Sequence, residues 1–128
     1  MNQNKRLVFF NGELIPETEA KISIYDSALM FGDMVFEMTR SFNKEQFKLS
    51  EHIERLYMGL KIFKIPISMT PSEMEDACYK TIEANDHLFS DDDEHRLMID
   101  ISRGLLGIYE GIEGLHKGTN IIIADFPL

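Results

Sequence analysis

Alternating apolar and polar residues predict two β-hairpins at the start of the chain. In RLVFFNGELIP, Asn11 and Gly12 separate two apolar runs, and an Asn-Gly pair tolerates the positive φ angles of a two-residue hairpin turn. From Val35 to Phe42 the residues alternate with the period of a strand, which places one set of side chains on each face. The two sets are Phe36, Met38, Arg40 and Phe42 on one side, and Val35, Glu37, Thr39 and Ser41 on the other. A turn at residues 43–45 then leads into a second short strand, Gln46 to Leu49.

Helical spacing predicts two helices after the second hairpin. In the first, Ser50 is a suitable N-cap and Pro66 lies just past the end. Its apolar face consists of Ile53, Leu56, Tyr57, Leu60 and Phe63. In the second, Thr70, Pro71 and Glu73 supply the N-cap, the first-turn proline and the acid of a capping box. The second apolar face consists of Met74, Ala77, Cys78, Thr81 and Ile82.

The last third of the chain predicts two further strands joined by a glycine-rich loop. The acidic run 91–94 lacks the alternating ligands and the glycine of a calcium loop, so we interpret it as a solvated loop without function. RLMIDISRG alternates like a strand, a loop runs from Gly104 to Gly118, and NIIIADF is typical of a buried strand. Because the helices are grouped rather than interspersed with strands, we predict an α+β fold, with an antiparallel sheet covered on one side by two helices.

Composition narrows the class of protein mainly by exclusion. The 128 residues suit one domain, 1–128. The net charge of -9 repels phosphate backbones, so we expect no nucleic-acid partner and no binding to anionic membranes. No apolar run approaches the roughly 18 to 20 residues of a membrane span, and the N-terminus lacks the pattern of a signal peptide. With Cys78 as the only cysteine, we expect a buried thiol and a cytoplasmic protein.

One arginine, Arg55, lies in the first turns of the first predicted helix, directly before Leu56 of its apolar face. Spacing alone favours a surface arginine that extends to water or pairs with Glu51 or Glu54. The alternative is a fixed guanidinium that binds an anion, because its planar fork matches phosphate and carboxylate oxygens.

Other polar residues give weaker indications. Arg40, Arg96 and Arg103 lie within or beside predicted strands, where an arginine either reaches solvent at a strand end or lines a pocket. The four histidines are not spaced as in a helical metal motif, so we predict no metal site and interpret His52 as a packing or capping residue. These histidines are His52, His87, His95 and His116. The motifs of nucleophile elbows, phosphate loops and dinucleotide sites are absent from the sequence.

Five separated segments together resemble the N-terminal domain of the class IV, or fold type IV, pyridoxal-phosphate enzymes. This family contains branched-chain and D-amino acid aminotransferases and aminodeoxychorismate lyase. The segments follow the family's order and approximate spacing and cover most of the chain. They are FNGELIP at 10–16, ISIYDSALMFGDMVFEMTR at 22–40, LSEHIERL at 49–56, ISRG at 101–104 and the closing NIIIADFPL.

The resemblance implies roles for four residues. Arg55 stands where the family binds the cofactor phosphate. Phe31 would lie near the substrate in the dimer, Phe36 would line the substrate pocket, and Arg96 resembles a strand arginine near the substrate carboxylate. The sequence departs from the family at Phe31, where branched-chain enzymes often have a tyrosine, and at Gly59, where a serine or another small residue is common.

In the family, the lysine that binds pyridoxal phosphate covalently belongs to the C-terminal domain, beyond the counterpart of NIIIADFPL. None of the lysines of this chain matches its motif, so the resemblance gives the chain no catalytic residue and implies that it is inactive alone. The complete enzyme would use pyridoxal phosphate to move an amino group between an amino acid and a 2-oxo acid, and would be a homodimer.

Two alternatives remain open at this point. The segments ISRGLLGIY at 101–109 and FGD at 31–33 also resemble aminodeoxychorismate lyases, which would release 4-aminobenzoate. A chain with the same fold but without the catalytic lysine would instead be a non-catalytic dimerising or ligand-binding module.

Overall fold

The structure, a computed structural model, describes residues 5–128. The prediction that the N-terminus carries no signal peptide concerns in part residues 1–4, which lie outside the described residues. The strands are β1 Leu7–Phe10, β2 Glu13–Pro16, β3 Met34–Phe42, β4 Glu45–Gln46, β5 His95–Ser102 and β6 Asn120–Pro127. The α-helices are α1 Ser27–Phe31, α2 Leu49–Phe63 and α3 Pro71–Asn85, and short 3-10 turns occur at Glu17–Glu19, Asp86–Leu88 and Gly107–Tyr109.

The six strands form one antiparallel sheet in the order β2-β1-β6-β5-β3-β4. Helices α2 and α3 pack on the same side of it, where their apolar stripes meet alternate residues of β5 and β6. The α+β prediction, with two helices on one side of an antiparallel sheet, is therefore confirmed. The buried core contains Leu49, Ile53, Leu56, Leu60, Met74, Ala77, Cys78, Leu97, Ile99, Ile101, Ile121 and Ile123.

The opposite surface of the sheet, which we call the open face, is not covered by a helix of residues 5–128. Alternation and strand register place on it Phe36, Met38, Arg40 and Phe42 of β3, Arg96, Met98 and Asp100 of β5, and Ile122, Ala124 and Phe126 of β6. On β3 the usual pattern is reversed, because the polar Glu37, Thr39 and Ser41 are buried while Phe36 is 62% exposed. The apolar side chains of Phe36, Met38 and Phe42 thus face away from the core, whereas Val35 packs against it.

Both hairpins form, and the second differs from the prediction in length. Asn11 and Gly12 have φ angles of 50° and 99°, as the Asn-Gly pair predicts. The second turn is tightened to Asn43 and Lys44, because the carboxylate of Glu94 accepts both of their backbone N–H groups, at 2.8 and 3.0 Å. Glu94, the last residue of the acidic run that we interpreted as a solvated loop, therefore has a structural role, because its side chain fixes this turn.

The ends of α2 also differ from the prediction. Ser50 is not the N-cap, since the helix begins at Leu49 after Lys48, which has a φ of 57°, and the Ser50 hydroxyl instead donates to Glu75 at 3.2 Å. Phe63 is exposed. After Phe63 the chain turns, and the Ile65 N–H donates to the Leu60 carbonyl at 2.9 Å. Ile65 is therefore buried in the position predicted for Phe63.

Helix α3 follows the prediction closely. The Thr70 hydroxyl accepts from the Glu73 N–H at 3.1 Å, and the Glu73 carboxylate accepts from the Thr70 N–H at 2.8 Å, which completes the capping box. Cys78 is fully buried, as predicted, and burial raises the pKa of its thiol to about 12. Within residues 5–128, no helix is both long and apolar enough to cross a membrane.

Candidate functional site

Arg55, in the second turn of α2, forms a two-point ion pair with Glu37 of β3. Its Nε donates to Glu37 Oε2 at 2.6 Å and its Nη2 donates to Oε1 at 2.8 Å. The Glu37 side chain is only 6% exposed, whereas that of Arg55 is 71% exposed. Of the alternatives left open for Arg55, pairing with Glu51 or Glu54 of its own helix is not the one that forms, because its partner, Glu37, lies across the packing interface on the sheet.

A close approach of helix to strand makes this pairing possible. A Cβ on Gly59 would lie 3.3 Å from Val35 Cγ1, so the absence of a side chain at Gly59 lets α2 lie close against β3. Val35 and Glu37 are about 6.6 Å apart along the strand, and Gly59 and Arg55 are about 6 Å apart along the helix. Because these two distances are nearly equal, Glu37 lies opposite Arg55 when Val35 lies opposite Gly59.

His52 is the third member of this cluster. Its Nδ1 lies 2.7 Å from Glu37 Oε1. Because an ionised carboxylate only accepts hydrogen bonds, Nδ1 must carry the hydrogen in this contact. The packing role predicted for His52 is therefore more specific, since the imidazole holds the carboxylate that holds Arg55.

The electrostatics of the cluster favour its ionised form. The hydrogen bond from Arg55 is the largest influence that lowers the pKa of Glu37, with a smaller one from His52, and together they outweigh the opposing effect of burial. The same ion pair raises the pKa of the Arg55 guanidinium. Glu37 is thus a buried carboxylate stabilised by two neighbours on α2.

The guanidinium of Arg55 retains unused donors on its solvent side. Of its five N–H groups, two are occupied by Glu37, and Nη1 has no hydrogen-bond partner among residues 5–128. Charge-assisted hydrogen bonds from such a fixed, exposed edge suit phosphate oxygens. The donors present therefore fit the phosphate of pyridoxal phosphate.

The open face carries two of the other predicted site residues, Phe36 and Arg96. Phe36 lies opposite Asp100 in the β3–β5 register, and Arg96 lies opposite Arg40, four positions further along. The two predicted residues are therefore on the same face, about 13 Å apart along the strands. Arg96 makes no hydrogen bond or ion pair within the described residues, and with Met38 and Met98 it borders a shallow hollow on this face.

Asp100 is a carboxylate on the open face that sequence reasoning did not single out. It is half-buried between Phe36 and Ile122 of the neighbouring strands. Its side chain makes no hydrogen bond or ion pair with any described residue, and burial raises its pKa. The only sequence signal was an acid inside a strand otherwise rich in apolar residues.

Phe31 ends the short helix α1, an element that the sequence analysis missed. Asp26 caps this helix by accepting the Ala28 N–H at 2.8 Å, and Gly32 ends it with a φ of 67°. Asp26 is buried and also accepts from Ser102 and Asn120, which fixes α1 beside the ends of β5 and β6. Phe31 itself is 67% exposed.

The structure brings some of the predicted residues together and separates others. Phe36 and Arg96 share the open face, whereas Arg55 lies on the helix side of β3, beside Glu37. Arg103 is held by the fold, because it pairs with Asp33 at 2.5 Å and donates to the Phe63 and Lys64 carbonyls at the end of α2. Arg103 therefore has a structural role.

His95 and Asp125 form a buried pair outside the Arg55 cluster. His95 Nδ1 lies 2.7 Å from the buried Asp125 carboxylate, and its ring stacks on Phe89. Burial raises the pKa of Asp125 to about 6, against the opposing effect of His95. Among residues 5–128, no three His, Cys, Asp or Glu side chains are grouped so as to hold a metal ion.

Known aminotransferases share sequence similarity with this chain. The family model for amino-transferase class IV matches residues 34–127. The branched-chain-amino-acid aminotransferase of Escherichia coli strain K12 is 32% identical over 128 residues, covering 94% of this chain and 38% of that protein. The D-alanine aminotransferase of Bacillus licheniformis is 35% identical over 78 residues, covering 61% of this chain and 28% of that protein.

Solved structures of branched-chain aminotransferases share the fold of this chain. The crystal structure of the Escherichia coli branched-chain amino acid aminotransferase superposes with a TM-score of 0.80 and 29% identity, covering 97% of this chain and 40% of that one. That of the Thermoproteus uzoniensis branched-chain aminotransferase with norvaline gives a TM-score of 0.78 and 27% identity, covering 97% and 41%. The chain thus spans about two fifths of the length of these enzymes. On its sequence and its fold, the chain belongs to the class IV aminotransferase family and corresponds to the N-terminal part of its members.

Proposed function

We propose that this chain is the cofactor-phosphate-binding and substrate-binding N-terminal domain, residues 1–128, of a pyridoxal-phosphate-dependent aminotransferase. The single observation that carries the proposal is the state of Arg55, whose guanidinium is fixed on one edge by Glu37 and free on the other. An arginine that only stabilised the fold would not need exposed donors held in a fixed orientation.

In this proposal the residues of the Arg55 cluster hold the cofactor by its phosphate. Arg55 would donate to the phosphate oxygens from Nη1 and the remaining hydrogen of Nη2. Pyridoxal phosphate, when bound, supplies the electron sink for exchange of the amino group. A second domain would supply the lysine that binds the cofactor.

Residues of the open face and of α1 would bind the substrate. Arg96, which has no partner among the described residues, suits the carboxylate of an amino acid or a 2-oxo acid. Phe36, which is strongly exposed on the same face, suits an apolar side chain. Phe31 would contribute a further apolar contact near the substrate. The names of the related enzymes, branched-chain and D-alanine aminotransferases, support amino acids as the substrate class.

We also propose that the complete protein is a homodimer in the cytoplasm. Exposed apolar side chains on the open face and on α1, among them Phe36, Phe126 and Leu29, support association with further protein surface. The buried thiol of Cys78, the only cysteine, supports a compartment in which disulfides are not used.

Assays of the protein encoded by the complete open reading frame test the proposed function. With pyridoxal phosphate it should transfer amino groups from branched-chain or D-amino acids to 2-oxo acids, while the 128-residue chain alone should have negligible turnover. Release of 4-aminobenzoate from aminodeoxychorismate without transamination would favour the lyase alternative. Absence of cofactor binding by the complete protein would refute the proposal and favour a non-catalytic module.

A further inference from the structure

We propose that Glu37 is a positioning residue for the cofactor phosphate, which selects the edge of Arg55 that the phosphate meets. This inference rests on the proposed function, since it assumes that Arg55 binds the phosphate. Glu37 itself does not contact the phosphate in this proposal.

The contacts with Glu37 hold the Arg55 guanidinium in one orientation. Two parallel hydrogen bonds, from Nε to Oε2 and from Nη2 to Oε1, fix the plane of the guanidinium and its rotation within that plane. The second contact of Oε1, with His52 Nδ1 at 2.7 Å, fixes the carboxylate in turn. The side edge of Arg55 is therefore occupied, and an incoming anion meets only the end formed by Nη1 and the outer hydrogen of Nη2.

Burial explains why this orientation persists while Arg55 lies in solvent. An arginine side chain that is 71% exposed ordinarily samples many rotamers, and ordering it on binding costs affinity. Here the partner is a carboxylate that is 6% exposed, held between β3 and α2 by the close approach at Gly59. The cost of ordering Arg55 is thus met when the protein folds, before any ligand binds.

If only charge mattered, Glu37 would weaken the binding of an anion to Arg55, whereas in our proposal it strengthens that binding. A carboxylate next to a phosphate-binding arginine repels the phosphate, so its removal should strengthen binding if only the net field mattered. Positioning predicts weaker binding on removal. The Glu37→Gln variant separates the two, because its amide cannot accept at both positions and must direct an N–H at one of the Arg55 donors.

The experiment compares dissociation constants for pyridoxal phosphate and for pyridoxal, which lacks the phosphate, in the protein of the complete open reading frame. The dissociation constant for pyridoxal divided by that for pyridoxal phosphate is a ratio that measures the contribution of the phosphate to binding. We expect Glu37→Gln to lower this ratio roughly 3- to 10-fold, the range given by ordering one flexible side chain. Glu54→Gln removes the same charge from an exposed position beside Arg55 and should leave the ratio within about twofold.

Two further variants make each outcome decisive. Arg55→Ala should abolish most of the phosphate contribution; if it does not, the proposed role of Arg55 fails. If Arg55→Ala lowers the ratio but Glu37→Gln leaves it unchanged or raises it, only the positioning role of Glu37 is overturned. Should Glu37→Gln fail to fold by circular dichroism, Glu37→Asp keeps the charge but shortens the side chain, and a ratio equal to that of the wild type would then overturn the inference. As a readout independent of the ligand, the Nε–H of Arg55 should exchange with solvent faster in either variant than in the wild type.

Discussion

Glu37 and Arg55 join the sheet to helix α2 through two hydrogen bonds of 2.6 and 2.8 Å, one from each of two guanidinium nitrogens. The carboxylate is buried and the guanidinium is largely exposed. This asymmetry distinguishes the pair from an ordinary surface ion pair, because one member is fixed by the core and the other is presented to solvent.

Substitution of Gly59 by valine should destabilise the protein by about 1–3 kcal/mol, because the added methyl groups meet Val35 where even a Cβ would lie at 3.3 Å. Urea unfolding followed by circular dichroism measures the change. Met58→Val, at an exposed position one residue earlier, introduces the same side chain and should cost less than about 0.7 kcal/mol. Equal losses in the two variants would contradict the close approach of α2 to β3.

Much of the fold was predictable because local rules and tertiary packing agree. The Asn11-Gly12 turn and the capping box of Thr70 and Glu73 formed as predicted. Local rules failed at Ser50, which is not the N-cap of α2, and at Phe63. The chain turns at Lys64 and buries Ile65 in place of Phe63, the residue with the correct helical spacing. Helix α1 was missed because it has only five residues, too few for a periodic pattern.

The candidate site was predictable only in part. The resemblance singled out Arg55, but its partner was sought on the same helix, since spacing within a helix can be read from sequence and contact across a packing interface cannot. Glu37 was assigned to the correct face of β3 without a role. Its function as a partner depends on Gly59, which the sequence showed only as a departure from the family.

Stability should depend on pH through Glu94. The Ser41 hydroxyl and the N–H groups of Asn43 and Lys44 lower its pKa from 4.5 to about 2. A carboxyl whose pKa is lower in the folded state stabilises the protein fully above its unfolded pKa and loses that effect as the pH falls toward the folded value. The stability advantage of the wild type over Glu94→Gln should therefore be full above about pH 4.5 and decline toward pH 2.

Thermal unfolding of both proteins between pH 2 and 7 measures this difference. Glu113→Gln, on the exposed loop before β6, removes the same charge and should show no such decline. A constant difference between wild type and Glu94→Gln over the whole range would contradict the bonding of Glu94 in the second hairpin.

The contribution of Asp100 to stability should depend on pH with the sign opposite to that of Glu94. Burial raises its pKa and no described residue compensates the charge, so ionisation destabilises the fold increasingly as the pH rises from the unfolded pKa to the raised folded pKa. Asp100→Asn should therefore be more stable than the wild type at pH 7, by roughly 1 kcal/mol, and the gain should vanish as the pH falls below the unfolded pKa. Chemical unfolding at pH 3 and pH 7 tests this, with the exposed Asp92→Asn as the control that should change little.

Arg96→Ala should weaken the binding of substrate without weakening that of cofactor. If the free guanidinium on the open face meets the substrate carboxylate, its loss should raise KM by about tenfold or more, since a charge-assisted hydrogen bond contributes roughly 1.5–3 kcal/mol. Steady-state kinetics of the complete protein, together with its dissociation constant for pyridoxal phosphate, separate the two effects. A KM equal to that of the wild type would remove Arg96 from the substrate site.

The central claim, that Arg55 binds the cofactor phosphate, is tested most directly by the dissociation constant for pyridoxal phosphate in the protein of the complete open reading frame. We expect Arg55→Ala to raise it by at least about tenfold through loss of charge-assisted hydrogen bonds. Lys61→Ala removes a positive charge from an exposed position on the same helix and should change it by less than about twofold. Equal constants for the wild type and a folded Arg55→Ala variant would contradict the account.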